Sequence, residues 1–265
     1  MQVGYRITTP DEIQLHPADL FQISVYHRAP INNLERVISC ACACNKARKH
    51  YVVHPVNYFL LDEDDETFEE LVQIAKWSGS ALLLHDEVIW QTTPSGLKMK
   101  RLEDRQAQKF LARLEKLESI CKVSFEDAVN VKDTPWFWET FASSVTIDIG
   151  HLESAGINSV DFLKSLKPEI LDKVEYCHMH RKHEMRYGLA DHWPLVPGCR
   201  ELDALETLLE KKPDLKVILE LNPDELAYSL QMLFELKARY TPEEQPPQEP
   251  APFETTCQKT GWPKE

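Results

Sequence analysis

Short apolar runs alternate with longer stretches in which apolar side chains recur every three or four positions, and the alternation continues through most of the chain. The short runs predict strands at residues 2–6, 20–26, 50–54, 81–85, 121–126, 144–148, 175–180 and 216–221. The longer stretches predict amphipathic helices at 67–78, 100–120, 159–171, 201–211 and 225–240. Within 100–120, Ala107, Phe110, Leu111, Leu114 and Leu117 make one apolar face with charges elsewhere, as in a helix that covers a sheet. Strands alternating with such helices imply parallel βαβ units, and eight of them favour closure into a barrel. The 265 residues suit this fold, whose usual length is roughly 250. The expected class is therefore α/β, a single (β/α)8 barrel over residues 1–240.

The last unit shows which end of the strands matters. After Glu220 comes Leu221-Asn222-Pro223-Asp224-Glu225, in which Asn222 suits a helix cap, Pro223 its first turn and Glu225 a capping box. Glu220 is thereby expected at the C-terminal end of its strand, the end that carries the active site in this type of barrel. Beyond it, residues 241–265 hold Pro242, Pro246, Pro247, Pro250 and Pro252 among acidic positions without apolar periodicity. That composition predicts a mobile or surface-draped tail, with Phe253 and Trp262 as its candidates for a lid or subunit contact.

The strand ends carry the chemistry. Because side chains alternate faces, Ser124 shares a face with Glu126, Thr146 with Asp148, His178 with His180 and Ile218 with Glu220. One strand-end acid alone reads as a helix cap or a salt-bridge partner. Acids or imidazoles at equivalent positions of four successive strands read as a site for a divalent cation, with manganese, cobalt, zinc and magnesium as candidates. Between His178 and His180 the alternation does not choose, since both face the same way.

Composition narrows the function classes. The net charge of −13 disfavours a nucleic-acid surface, which needs clustered Lys and Arg. The short cluster of Lys46, Arg48, Lys49 and His50 reads as the solvated end of a helix. No apolar run approaches the ~20 residues that span a bilayer, so no membrane partner is expected. Seven cysteines without a Cys-x-x-Cys pair, three of them spread around one helix at Cys40, Cys42 and Cys44, read as small packed residues in a reducing cytoplasm. The N-terminal residues show no secretory pattern, and a homo-oligomer is compatible with the chain. Glycine-rich phosphate loops, nucleotide fingerprints and Ser-His-Asp arrangements are absent from the sequence. Trp136 and Trp138, after Pro135, read as helix-to-barrel packing, whereas Trp90 and Trp193 are expected in loops after strand ends, as walls of a pocket.

The segments Val123-Ser-Phe-Glu126, Ile147-Asp-Ile-Gly-His151, His178-Met-His180, Asp191-His-Trp-Pro-Leu195 and Val217-Ile-Leu-Glu220, in this order, resemble the xylose-isomerase-like barrel superfamily. Sugar isomerases, sugar 3-epimerases and the endonuclease IV group of apurinic endonucleases belong to it. The resemblance implies Glu126, Asp148, His180 and Glu220 as ligands of one metal ion, manganese first among the candidates. It also implies that Glu126 and Glu220 move protons through a metal-stabilised enediolate on a sugar or related polyhydroxy substrate. His54, His85, His151, His178 and His192 are then expected to contact substrate. The alternative it implies is a metal-dependent hydrolase, in which these histidines help to hold two or three ions. After His180 the chain departs from the epimerase pattern, since Arg181-Lys-His-Glu184 is mostly basic and suits a phosphate or carboxylate on the substrate.

Overall fold

The computed structural model describes residues 1–61, 64–87, 90–93, 96–99, 105–128, 133–181 and 192–240. In chain order they form β1 (Gln2–Ile7), β2 (Leu20–Tyr26), α1 (Asn33–Lys46), β3 (His50–Val56), α2 (Asp65–Ala75), β4 (Leu82–His85), β5 (Trp90–Thr93), β6 (Gly96–Met99), α3 (Arg105–Glu118) and β7 (Val123–Glu126). There follow α4 (Thr134–Phe141), β8 (Ser144–Asp148), α5 (Ile149–Ser154), α6 (Ser159–Ser165), α7 (Pro168–Lys173), β9 (Val174–Met179), α8 (Arg200–Leu209), β10 (Lys216–Leu219) and α9 (Leu226–Tyr240). Eight strands close into a parallel barrel in the order β1-β10-β9-β8-β7-β4-β3-β2. All eight sequence-predicted strands are in it.

Strand register carries the inward face around the ring. Ser124 pairs with Ser144, Thr146 with Tyr176, Asp148 with His178, His178 with Ile218, Ile218 with Gly4 and Gly4 with Leu20. The lower interior is plugged by Leu20, Val52, Ala81, Leu83, Tyr176 and Ile218, all buried and separate from the larger core between strands and helices. Above that plug the inward positions turn polar, with Gln22, Ser24, His54, Ser124, Thr146 and His178 buried. The apolar plug closes one end of the barrel, and the polar layer lies toward the C-terminal ends of the strands.

The helices follow their sequence signals, with informative departures. In α3 Ala107, Phe110, Leu114 and Leu117 are buried, but Leu111 is 42% exposed, because one residue beyond Phe110 rotates the side chain about 100° off the packed face. The helix expected at 159–171 is two helices, α6 and α7, since Pro168 lacks the N–H that would continue the ladder. Trp90 belongs to β5, which forms an antiparallel hairpin with β6, so a loop position for it is corrected. After β10 a 3-10 turn, Pro223–Glu225, replaces the expected cap: the Asn222 side chain makes no cap bond, and its amide donates instead to Glu225 Oε2 at 3.1 Å. Trp138 packs as expected, fully buried with Nε1 donating to Phe125 O at 3.0 Å. Cys40 and Cys44 are buried and Cys42 exposed, as spacing on α1 requires. The tail at 241–265 lies outside the described residues.

Candidate metal centre

Each predicted site residue described here reaches the barrel mouth. Glu126 ends β7, Asp148 ends β8, His178 lies on β9 with His180 just beyond it, and Glu220 directly follows β10. His54 lies on β3 and His85 ends β4. His151 comes from the first turn of α5, whose N-cap is Asp148 itself, with Oδ1 accepting from His151 N at 2.7 Å. His192 sits in the segment before α8. Asp191 and residues 182–184 of the basic loop lie outside the described residues. Arg181 is described, with its guanidinium 5.4 Å above the Trp193 ring.

Glu126 is the hub. Its Oε2 lies 3.1 Å from His178 Nδ1, 3.3 Å from His54 Nε2 and 3.9 Å from His85 Nε2, while Oε1 lies 3.3 Å from His151 Nδ1. His178 Nδ1 is also 3.8 Å from Asp148 Oδ2 and 3.7 Å from Glu220 Oε1. His180 turns to the other side of Asp148, with Nε2 3.1 Å from Oδ1, and stacks on His192 at 3.8 Å between ring centroids. Of the two histidines that alternation left open, His178 thus faces three carboxylates and His180 faces Asp148, His151 and His192.

Main-chain carbonyls face Nδ1 of four imidazoles, that of His180 at 3.4 Å from Arg181 O and the other three closer. His54 Nδ1 donates to Leu83 O at 3.0 Å, His151 Nδ1 to Asp127 O at 3.0 Å and His192 Nδ1 to Glu220 O at 2.8 Å. A neutral ring that donates through Nδ1 to a carbonyl keeps a lone pair on Nε2, which is how ligating histidines are usually held. Burial opposes charge on His151, but Asp148 and Glu126 beside its Nδ1 raise it well above the ordinary 6.5. Burial, opposed by Glu126, lowers His85 to about 4, so this ring is neutral at ordinary pH.

The donor set fits a cation. Both Glu126 oxygens, Asp148 Oδ2, both His178 nitrogens and His180 Nε2 are buried without a well-aligned hydrogen bond. Such orphaned groups are expensive unless something positive satisfies them. Burial works against charge on Glu220, yet His178, His192 and His54 hold it ionised, down to about 2. Burial likewise opposes charge on His178, but Glu126, Glu220 and Asp148 raise it to about 9. Protons on imidazole are here substituting for the positive charge that a divalent ion would bring. Among the described residues, four overlapping groups have ligand atoms within 4.8 Å of one another: His54–His85–Glu126, His54–His178–Glu220, Glu126–Asp148–His151 and His151–His180–His192.

Three contributors escaped the sequence reading. The Gln22 amide donates to Glu220 Oε1, and Gln22 was legible as a polar position on the inward face of β2. Asp127, fully buried, accepts from Asp148 N at 2.7 Å and so anchors the turn into α5; only its place beside Glu126 marked it. Gly150 gives the His180 ring its room, since a Cβ there would meet three ring atoms at 2.1–2.4 Å. Above the ligands opens a cavity of about 350 Å3 lined by Arg6, Tyr26, Val56, Asn222, Glu220 and the His54, His85, His151 and His192 rings.

No family model and no curated protein matches the sequence. Solved structures do match. A Thermus thermophilus protein soaked with zinc chloride superposes with a TM-score of 0.56 at 15% identity, over 90% of this chain and 99% of its own. A xylose isomerase domain protein from Alicyclobacillus acidocaldarius gives 0.55 at 12% identity, over 90% and 99%. The chain shares the (β/α)8 barrel fold of these proteins. A sugar phosphate isomerase/epimerase from Parabacteroides distasonis shares it as well, with a TM-score of 0.50 at 8% identity over 85% of this chain and 90% of that one. At such identities the likeness is one of fold.

Proposed function

We propose that the protein is a divalent-metal-dependent enzyme that isomerises or epimerises a sugar or related polyhydroxy compound by proton transfer beside a carbonyl. The observation that carries this reading is the set of buried, hydrogen-bond-deficient oxygens and nitrogens on Glu126, Asp148 and His178 at the mouth of the barrel. Glu126, Asp148, His180 and Glu220 would hold the ion, with His178 joining them. When bound, a divalent cation supplies Lewis-acid polarisation of a carbonyl and the hydroxyl next to it.

The chain's own residues supply the rest. Glu220 lines the cavity and is ionised, so it takes the proton from the carbon next to the carbonyl. Gln22 holds that carboxylate in place through its amide. Glu126, three strands away around the ring and 3.1 Å from the protonated His178, would relay that ring's proton to the carbon from another side, and Glu220 would then lose the proton it took to solvent. The Tyr26 hydroxyl, the Asn222 amide and the His54, His85 and His192 rings offer hydrogen bonds to substrate hydroxyls.

A second reading has its own observation. The groups His54–His85–Glu126 and His151–His180–His192 lie beside the central one, and seats for two or three ions favour metal-dependent hydrolysis of a phosphoester or another small molecule. Elemental analysis of the purified protein, with zinc included because a neighbour of this fold was soaked with it, separates the two. The first reading expects about one ion per chain, and exchange of a sugar's α-proton with solvent deuterium that Glu220→Gln abolishes. Two or three ions with phosphoester turnover would replace it by the second, and a protein that binds no divalent cation would end both.

A further inference from the structure

The cavity has a feature that neither proton transfer nor metal binding uses. On β1 the inward positions are Gln2, Gly4 and Arg6, because Gly4 pairs with the plug residues Ile218 and Leu20, and Arg6 pairs with Gln22 one layer higher. Arg6 therefore enters the mouth from the barrel side and lines the cavity. It is half-buried, and it is the Lys or Arg side chain among the described lining residues. Its charge acts on the phenol of Tyr26, which lines the same wall.

The local acids do not claim it. Glu220, the carboxylate on the adjoining strand, is engaged by Gln22, His178 and His192. Among the described residues no carboxylate lies within the 4.0 Å of an ion pair to Arg6. A guanidinium that is partly withdrawn from water and aimed into a cavity gains most from a planar or tetrahedral anion, which it meets with two parallel N–H donors. The chain carries a net charge of −13, so an anion is held only where a positive group is presented to it, and Arg6 presents one on this wall of the cavity.

We infer that Arg6 is a specificity-determining residue that binds a carboxylate or phosphate group of the substrate, which makes the substrate class an anionic polyhydroxy compound, a sugar acid or sugar phosphate. This rests on the proposed function for its chemistry and on Arg6 alone for its selectivity.

The test is isothermal titration of the full-length protein with three probes: sorbitol, gluconate and sorbitol 6-phosphate. Each is run on manganese-loaded and on chelator-stripped protein, for wild type, Arg6→Gln and Arg6→Lys. Wild type is expected to bind at least one anionic probe about tenfold tighter than sorbitol. Arg6→Gln is expected to abolish that preference while sorbitol affinity and manganese content stay unchanged, and Arg6→Lys to keep part of it. Whichever anion shows the larger loss identifies the group. An equal preference in wild type and Arg6→Gln would send the anion to the metal and overturn the inference, as would no preference in wild type. Should Arg6→Gln fail to fold, slowing of phenylglyoxal modification at Arg6 by the anionic probes, and not by sorbitol, replaces it; absence of protection counts against the inference. Failure of the metal reading shows separately, as no bound manganese, and leaves the Arg6 dependence readable in the stripped protein.

Discussion

His180 reaches Asp148 only because residue 150, one turn away in space, has no side chain. Gly150→Ala would add a methyl group into the imidazole, and the ring is the part that yields, being the free end of a side chain. Alanine also favours the helical backbone of α5 by up to about 1 kcal/mol relative to glycine. The variant should therefore melt within a few degrees of wild type while its divalent-metal affinity falls roughly tenfold, as when the support of a ligand is lost. Titration calorimetry beside a thermal melt checks it, and a large loss of stability with metal affinity intact would refute it. At this scale, residue type and parity made Glu126, Asp148, Glu220 and the pair His178 and His180 legible in the sequence, without choosing between the two imidazoles. Gln22, Asp127 and Arg6 were not, because what each does depends on which strand lies beside it, and one strand's pattern does not contain its neighbour.

Strands were legible as elements because each is a compact apolar run, and most are followed in the chain by a helix with its own periodicity. The β5–β6 hairpin was hidden, since neither of its short strands has the apolar pattern of a barrel strand, and the break at Pro168 shortened a helix that periodicity alone would run through. At the end of the barrel opposite the site, Glu175 ties separate elements together, with Oε1 2.6 Å from Lys122 Nζ and Oε2 3.5 Å from Lys216 Nζ. Burial works against its charge, but the two ammonium groups win and hold the carboxyl below its ordinary 4.5. A carboxyl depressed in the folded state stabilises above its unfolded pKa, and that stability is lost as pH falls through the folded value. Glu175→Gln should accordingly cost about 0.5–1 kcal/mol at pH 7, in the range of partly exposed ion pairs, and progressively less below pH ~4.5. Urea denaturation of both proteins at several pH values measures this; a difference that persists unchanged into acid would assign the loss to packing instead.

Over the whole molecule, closing the ring forces several acids and imidazoles into one buried volume. That arrangement is costly without a cation to balance it, so the proposed metal binding would be coupled to folding. Chelation should lower the melting temperature by about 5–10 °C from a state with metal at roughly 100 times its dissociation constant, through a loss of about 2.7 kcal/mol. Scanning calorimetry with and without chelator, and a return of the transition on adding metal back, tests this. A melting temperature indifferent to chelation would mean that the buried charges are balanced by protons alone. No helix among the described residues is long and apolar enough to cross a membrane.

The sequence by itself determined the eight-strand alternation and the strand ends at which acids and imidazoles gather, because period-two and period-3.6 patterns are local properties of the chain. Only the tertiary structure decided that His178 faces three carboxylates while His180 stacks on His192, since both share one strand face and differ only in what the register of β8 and β10 sets opposite them. It alone also set Arg6 at the mouth, because the register that aligns β1 with β2 and β10 is a property of the closed ring.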